Sequence, residues 1–157
     1  MNTKYLTKAS LIGGIYVILV MIQIPFGELT FGPVQLRLSE GLCLLPLVES
    51  AAVPGLFVGC LISNLILSIY SGFGLIDILG GSIVTLVAAY LTSKAPNKLI
   101  GILPPVLLNG FIVSLWVSYF TNIPYWITAI GISVGEFASV YIFGSIVLTA
   151  YNKFLKK

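Results

Sequence analysis

The sequence predicts an all-α integral membrane protein, a bundle of six transmembrane helices with the N- and C-termini both cytoplasmic. The first reason is composition: 58% of the 157 residues are hydrophobic and 8% are charged, whereas a soluble domain carries about 25% charged residues. The second is the placement of the eight cations, because Lys and Arg of membrane proteins concentrate on the cytoplasmic side. Seven of the eight form three patches, at Lys4/Lys8, at Lys94/Lys98 and at Lys153/Lys156/Lys157.

Four helices are predicted between the first two lysine patches, because an even number of spans joins two cytoplasmic segments. A span takes about 20 mainly apolar residues, and 9–25 supplies the first. The loop at 26–36 is rich in Gly, Pro and polar residues and lies outside. The second helix, 38–50, is short for a span. It is therefore expected to be either tilted, partly re-entrant or extended at its ends. A tight inside turn over 51–54 ends at Pro54, which cannot continue a preceding helix.

The remaining helices follow from the same length rule. Helices at 55–70 and 75–93 lead to the second lysine patch, and helices at 102–119 and 125–151 lead to the third. Aromatic residues flank the last outside turn, as an interfacial belt does, at Tyr119, Phe120, Tyr125 and Trp126. All six helices are assigned to a single membrane domain, 1–157.

Polar residues occur on five of the predicted helices, although a charged side chain at mid-bilayer costs about 2.5–3.5 kcal/mol. They are Arg37, Glu40, Asn64, Asp77, Asn109 and Glu136. Glu136 is the deepest acid, roughly 16 Å beyond Tyr125 along the last helix. We predict that these residues line one cavity open to the outside. Alternatively, Arg37 and Glu40 simply pair at i, i+3, and the asparagines only join helices. Glu49 is expected to be solvated at the cytoplasmic end.

Several kinds of active site are excluded. The chain has no His, which removes Ser–His and Cys–His nucleophiles. Asp77 is the only Asp, so a catalytic Asp pair cannot form. Cys43 and Cys60 lack metal-ligand spacing, and no Gly-rich phosphate loop with its Lys occurs. The cations form no continuous basic surface for nucleic acid. We therefore predict no catalytic residue, metal or cofactor, and favour solute binding and transport driven by a partner.

Small residues at the start of the first helix predict where a partner docks. Ala9 and Gly13, and likewise Ser10 and Gly14, are spaced i, i+4, which lets another helix approach closely within lipid. The alternative is that these residues pack inside the same bundle.

Five segments, in order along nearly the whole chain, resemble the QueT family. They are Gly32–Glu40 (GPVQLRLSE), Val53–Cys60 (VPGLFVGC), Gly74–Ser82 (GLIDILGGS), Pro104–Asn109 (PPVLLN) and Gly135–Glu136. The resemblance implies a substrate-binding S component of an energy-coupling factor (ECF) transporter. Such components have six helices and bind substrate near the outer side. They dock through the first helix on a membrane coupling subunit, and two ATPase subunits supply the energy. The implied substrate is a queuosine precursor, a 7-deazaguanine such as preQ1 or preQ0.

If the substrate is a 7-deazaguanine base, each of these polar residues can be matched to one part of it. Its N1–H and exocyclic amine match the two carboxylate oxygens of Glu136; the alternative is a protonated Glu136 that only joins two helices. Side-chain amides suit the carbonyl edge, aromatic rings suit the flat face, and Glu40 or Asp77 suits the charged amine of preQ1. The predicted substrate-binding residues are Glu136, Asn109, Asn64, Asp77, Glu40, Arg37, Gln35, Trp116 and Trp126.

The outside segment 26–40 is predicted to gate the site, with Glu28 and Phe31 as gating residues. Its glycines and proline permit a sharp turn. Arg37 is the one cation on the outer side and so opposes the orientation rule. We expect it to pair with Glu40 and hold the segment over bound ligand.

Two other functions fit the residues. One is a stand-alone, proton-coupled carrier of a small nucleobase or vitamin-like solute that uses Glu136 or Asp77 as its proton site. The other is a membrane scaffold that transports nothing. Uptake into vesicles discriminates among the three functions. An S component requires ATP and partner subunits, a stand-alone carrier requires only a proton gradient, and a scaffold shows no uptake.

Overall fold

The structure, a computed structural model, describes Asn2–Phe154, except for the side chains of Glu28, Phe31 and Phe154. Lys156 and Lys157 of the third lysine patch lie outside the described residues. All regular elements within the described range are helical, which confirms the all-α prediction.

Eight α-helices and five shorter 3-10 or π segments follow one another along the chain. The α-helices are α1 (Thr3–Gln23), α2 (Glu28–Phe31), α3 (Ala52–Ser71), α4 (Ser82–Ser93), α5 (Lys98–Leu108), α6 (Ser114–Thr121), α7 (Tyr125–Ala138) and α8 (Gly144–Phe154). The 3-10 helices are Ile24–Phe26 and Leu38–Leu47, and the π segments are Ile76–Gly81, Asn109–Val113 and Ser139–Phe143.

Five continuous helices are long and apolar enough to cross a membrane, by length and composition. They are Thr3–Phe26, Ala52–Ser71, Ile76–Ser93, Lys98–Thr121 and Tyr125–Lys153. Their outer faces are apolar: large hydrophobic side chains such as Ile18, Leu65 and Ile130 are exposed. An apolar exterior suits contact with lipid, so the chain is a multi-pass membrane protein.

The predicted second span is a 3-10 helix, Leu38–Leu47, with Pro46 inside it. Ten residues at about 2.0 Å rise each cover about 20 Å, less than the roughly 30 Å hydrocarbon core of a bilayer. The segment is nevertheless almost wholly buried, because α1, α3, α4, α5 and α8 pack around it. The prediction of a short second helix is confirmed, and its place is the interior of the bundle.

Several predicted boundaries shift. The first helix begins at Thr3, where the Asn2 side chain accepts a hydrogen bond from the Lys4 N–H as an N-cap. The predicted inside turn over 51–54 is wrong, since α3 already begins at Ala52 and Pro54 lies in its first turn. Proline is tolerated there because the first-turn N–H groups have no partner within the helix.

Glycines let α1 and α3 cross closely. A methyl group built on Gly55 would lie 2.7 Å from the Ala9 carbonyl, and one built on Gly59 would lie 2.9 Å from the Gly13 carbonyl. One on Gly13 would in turn lie 2.9 Å from the Gly55 carbonyl. Only small residues allow two helices to approach this closely.

The bundle has two ends, defined here by its contacts. At the terminal end, α1 begins and α8 finishes, because Lys8 and Tyr151 both contact Glu49. At the loop end, Gln23 of α1 hydrogen-bonds to the segment before the 3-10 helix. The 3-10 helix therefore runs back along α1 from the loop end to the terminal end.

Candidate functional site

A buried carboxylate on the 3-10 helix organises the first polar group. Glu40 is 1% exposed. Its Oε1 accepts a hydrogen bond from the Tyr16 hydroxyl at 2.5 Å, and its Oε2 accepts one from the Cys43 thiol at 2.9 Å. The expected ion pair is present, with Arg37 Nε 3.7 Å from Glu40 Oε1. Both oxygens of Glu40 are thus already partnered.

A second buried carboxylate faces the first. Glu136 on α7 is 2% exposed, and its Oε1 accepts a hydrogen bond from Asn109 Nδ2 at 2.9 Å. Arg37, three residues before Glu40, donates its N–H to Ser139 Oγ, three residues after Glu136. The segments that carry the two buried carboxyl groups therefore meet inside the bundle.

The third carboxylate belongs to a neighbouring group on α3, α6 and the first π segment. Trp116 Nε1 donates to Asp77 Oδ1 at 3.0 Å, and Asn64 Nδ2 donates to the Asp77 backbone carbonyl at 2.9 Å. Asn64 Nδ2 also donates to Cys60 Sγ at 3.5 Å, and Cys60 belongs to the same buried cluster as Tyr16 and Cys43, the two partners of Glu40. The two groups therefore adjoin each other, and together they are hereafter called the polar cluster.

All three π segments lie at the polar cluster. Asp77 is in the first, Asn109 opens the second, and the third begins three residues after Glu136. A π segment widens a helix locally, and such bulges occur frequently at functional sites. Three separate helices thus depart from regular α geometry where they present polar side chains.

Arg37 is held by residues that the sequence interpretation did not single out. Gln23 Nε2 donates to the Leu36 carbonyl at 2.7 Å, and the Leu38 N–H donates to Gln23 Oε1 at 2.6 Å. The Arg37 N–H donates to Ser139 Oγ at 3.0 Å. The backbone on both sides of Arg37 is therefore fixed to α1 and to the third π segment.

The missed residues on α1 did leave a signal. Tyr16 and Gln23 interrupt an apolar run, and Tyr16 stands in the middle of the run, not at an end. Interfacial tyrosines lie near the ends of spans, so a central tyrosine indicates a buried hydroxyl with a partner.

The polar cluster contains buried atoms without a hydrogen-bond partner among the described residues. Most buried polar atoms in proteins have a partner, so each exception needs an explanation. In the polar cluster these atoms are Arg37 Nε and Asn64 Oδ1, and elsewhere among the described residues they are Ser39 Oγ and Ser63 Oγ. Arg37 Nε is a donor and Asn64 Oδ1 is an acceptor, so the polar cluster retains capacity for both kinds of group.

Two of the predicted site residues have different surroundings. Trp126 is 66% exposed, and its ring packs edge-on against that of Tyr125, with centroids 5.0 Å apart. The structure does not bring it to the polar cluster, because it lies on the outward face of α7, where a belt residue meets lipid. Gln35 is buried, and its backbone carbonyl lies so close to Gly135 that no side chain fits there.

The predicted gating segment lies across α7. Pro33 and Gln35 approach Gly131 and Gly135, two glycines one turn apart on that helix. The backbone of Glu28–Phe31 forms a helical turn, whereas the side chains of the predicted gating residues Glu28 and Phe31 lie outside the described residues.

A cavity of about 320 Å³ opens at the loop end, beside the gating segment. Its lining includes Pro33, Phe73 and Phe120, and the Phe73 and Phe120 rings lie 5.7 Å apart. Phe73 and Trp116 belong to one buried apolar cluster. The cavity therefore sits above the part of the bundle that holds Trp116 and Asp77.

The four predicted docking residues fall on two faces of α1. Gly13 is buried against α3 and Ala9 is half-buried there, so both serve packing within the chain. Ser10 and Gly14 are exposed, and nothing lies within 4 Å of a methyl group built on Gly14. An apolar groove of about 560 Å³ between α1 and α3 is lined by all four of these residues and by Val58, among others.

A separate polar tie joins three segments at the terminal end. Glu49 accepts hydrogen bonds from Lys8 and, at 2.6 Å, from the Tyr151 hydroxyl. Its Oε1 accepts the Ala51 N–H at 3.1 Å. The expectation that Glu49 is simply solvated is therefore wrong. Partial burial acts to raise the pKa of Glu49, but the hydrogen bonds from Lys8 and Tyr151 outweigh it, and the net pKa is lowered.

Among the described residues, no group of three or more His, Cys, Asp or Glu side chains is arranged to hold a metal ion. The polar cluster instead offers carboxylates, amides, a guanidinium and an indole, a donor set suited to an organic ligand.

A family model described as QueT transporter matches residues 6–153 of the chain. That range includes every residue of the polar cluster, the gating segment and the polar tie. No curated protein and no solved structure matches the chain.

Proposed function

This chain belongs to the QueT transporter family, and we propose that it is the substrate-binding S component of an ECF importer for a 7-deazaguanine queuosine precursor. As a member of a transporter family with five helices able to span a membrane, it is a membrane transport protein, not an enzyme. The finer proposal rests on one observation: the polar cluster is buried, formed from several helices, and has both donor and acceptor capacity left over.

Glu136 is the group proposed to read the base. A deazaguanine ring presents an N1–H and an exocyclic amine side by side, and a carboxylate accepts both in charge-assisted hydrogen bonds. Asn109 holds one Glu136 oxygen from the side and so fixes the orientation of the carboxylate. Asn109 is then a positioning residue for the base edge.

Arg37 is proposed as the donor to the carbonyl of the base. Asn64 Nδ2 already donates to the Asp77 carbonyl and to Cys60 Sγ, and Asn109 Nδ2 gives one of its two N–H groups to Glu136. Arg37 Nε, by contrast, has no hydrogen-bond partner among the described residues. Trp116, buried beside Asp77, supplies the aromatic face, and such stacking is worth about 1–3 kcal/mol per base.

Substrate is proposed to reach the polar cluster from the loop end. The cavity beside Pro33 and Phe73 opens at the loop end, and the segment before Arg37 crosses α7 at Gly131 and Gly135. We propose that the outer part of this segment, residues 26–35, moves aside to admit substrate, while Arg37 and Glu40 stay in place. The loop end is then the outer side of the membrane. The chain is proposed to be one domain with six crossings, the buried 3-10 helix included, and with both termini cytoplasmic, as the lysine patches favour.

Energy is proposed to come from partner subunits. The sequence has no phosphate-binding loop, so ATP hydrolysis belongs to two ATPase subunits, and a membrane coupling subunit connects them to this chain. The exposed face of α1 with Ser10 and Gly14, next to the apolar groove, suits a partner helix because small residues allow close approach in lipid.

Calorimetry and vesicle uptake test the proposal. The purified protein should bind preQ1 or preQ0, and uptake should require ATP together with the partner subunits. Failure to bind either base would overturn the substrate assignment. Uptake driven by a proton gradient without partners would instead establish a stand-alone carrier.

Substitutions on the two faces of α1 test the docking surface. Gly14→Leu should abolish uptake in cells yet leave substrate affinity unchanged, because a side chain there meets open space in the isolated chain. Gly13→Leu, its matched contrast, should reduce both, because it forces α1 away from α3. If Gly14→Leu leaves uptake intact, the partner does not dock on this face.

A further inference from the structure

We propose that a groove between α1 and α8, at the terminal end of the bundle, binds an anionic phospholipid, with an acyl chain in the groove and the phosphate at the Lys8 ammonium. This α1–α8 groove shares no lining residue with the polar cluster. The inference is therefore independent of the substrate proposed above.

The 3-10 helix forms the floor of the α1–α8 groove, and the two α-helices form its walls. Both α1 and α8 pack on the 3-10 helix, and the groove between them has a volume of about 480 Å³. Its lining on α1 extends from Lys8 to Ile15, which is about 10 Å at a rise of 1.5 Å per residue. That length lies within the depth of one leaflet, about 15 Å, so the groove is suited to an acyl chain.

The polar side chains that line the α1–α8 groove lie together at the terminal end. They are Lys8, Glu49 and Tyr151, which are joined in the polar tie. The rest of the lining is hydrophobic and includes Ile15, Leu42 and Val147. The groove is thus polar at one end and apolar along the rest, as a phospholipid is.

Lys8 is the group placed to meet a phosphate. Its side chain is 52% exposed, whereas that of Glu49 is 11% exposed, so the cation is the more accessible partner of the pair. An ammonium group carries three N–H donors. Among the described residues, its hydrogen-bond partners are Glu49 and, at 3.5 Å, the Tyr151 hydroxyl, so one N–H remains for a phosphate oxygen.

The charge of the terminal end favours an anionic lipid over a zwitterionic one. Lys98 begins α5, and Gly101 of that helix lies against Leu47 at the terminal end of the 3-10 helix, so the loop between α4 and α5 is at this end too. The described lysines at this end are Lys4, Lys8, Lys94, Lys98 and Lys153. Glu49 is the carboxylate among them. Basic pockets between transmembrane helices on the cytoplasmic side bind anionic headgroups.

Competition between two lipids tests the proposal. The purified full-length protein in detergent is given equal amounts of phosphatidylglycerol, which is anionic, and phosphatidylcholine, which is zwitterionic, with the same acyl chains. Native mass spectrometry then counts each lipid on the protein, and phosphatidylglycerol should be in excess. Lys8→Gln should lower the ratio of the two lipids about fivefold, the effect of one Lys near an anionic surface. Lys94→Gln, which removes a lysine outside the groove lining, should change the ratio by less than about twofold because of screening.

Glu49→Gln separates a lipid site from a role of Lys8 in the fold. It breaks the same ion pair as Lys8→Gln but keeps the ammonium, so the ratio should stay the same or rise. An equal loss of preference in Glu49→Gln and Lys8→Gln would mean that the intact polar tie matters and not the cation, and would overturn the proposal.

A steric variant tests the acyl chain. Ala150→Phe fills the α1–α8 groove from the wall formed by α8, so less phosphatidylglycerol should remain bound. Leu65→Phe, at an exposed position on α3, is the matched control and should leave binding unchanged. Unchanged binding in Ala150→Phe, or equal amounts of the two lipids on the unsubstituted protein, would also overturn the proposal.

Discussion

The bundle holds two groups of charged side chains, and they differ in how completely their partners are supplied. In the polar tie at the terminal end, Glu49 accepts from Lys8, Tyr151 and the backbone of Ala51, and the Lys8 side chain is 52% exposed. In the polar cluster, Glu40 and Glu136 are almost completely shielded from solvent.

The two groups differ in whether the chain itself supplies all the partners that their charged and polar atoms need. The polar tie is complete in itself, since each of its charges meets an opposite charge or a hydrogen-bond donor from the chain. The polar cluster is incomplete, with three carboxylates against one guanidinium and with buried donor and acceptor atoms unused. A complete network stabilises the fold, whereas an incomplete buried network is costly unless a ligand completes it.

The largest expected effect is on substrate affinity, and it comes from the same Glu→Gln substitution made once in the polar cluster and once in the polar tie. Glu136→Gln keeps the size of the side chain but replaces an acceptor oxygen with a donor. Affinity for the deazapurine should fall by about 100-fold or more, because a mismatched buried polar group is heavily penalised. Glu49→Gln should leave affinity unchanged. Near-normal affinity of Glu136→Gln in calorimetry would remove Glu136 from the site and make the polar cluster another structural tie.

The next effect concerns the only cation of the polar cluster. Arg37→Ala should weaken binding by about 10- to 100-fold, since a hydrogen bond to a charged group contributes about 1.5–3 kcal/mol. It should also lower Tm, because Glu40 then stays buried without its cation.

Arg37→Lys is the matched control for that variant. It keeps the positive charge near Glu40 but lacks the planar Nε donor. Tm should therefore recover while affinity remains reduced. Affinity within threefold of the unsubstituted protein in Arg37→Ala would contradict a role for Arg37 in binding or in gating.

Charge placement is what made the polar cluster predictable from sequence. Carboxylates and a guanidinium in apolar runs are costly in lipid, so Arg37, Glu40, Asp77 and Glu136 stood out, and the i, i+3 spacing of the first two anticipated their ion pair. The all-helical class followed from hydropathy in the same way, whereas five helices are long enough to span a membrane and the predicted sixth is a short 3-10 helix.

Which side chains point into the bundle and which point outward could not be predicted from the sequence. Trp126 and Trp116 both lie near helix ends, but depth along a helix does not tell which side meets lipid. Likewise, the i, i+4 spacing of Ala9/Gly13 and of Ser10/Gly14 marks two adjacent faces of α1, and only the glycines of α3 decide which of them is buried. That the second helix is short followed from the sequence, although it ends at Leu47 and not at residue 50. Its 3-10 geometry depends on the helices around it.

The smallest expected effect is on the polar tie. Glu49→Gln should lower Tm by no more than about 4 °C, because a partly exposed ion pair stabilises a fold only weakly. The pKa of Glu49 is lowered in the folded state, so the tie stabilises the fold above the unfolded pKa of about 4.3, and this contribution is lost as the pH falls through the lower folded pKa. The Tm difference between the two proteins should thus be full at pH 7 and should shrink below about pH 4. A difference that is constant from pH 7 to pH 3 would mean that Glu49 stabilises the fold through packing. The polar tie would then not be held together by charge, and it would no longer contrast with the polar cluster in that respect.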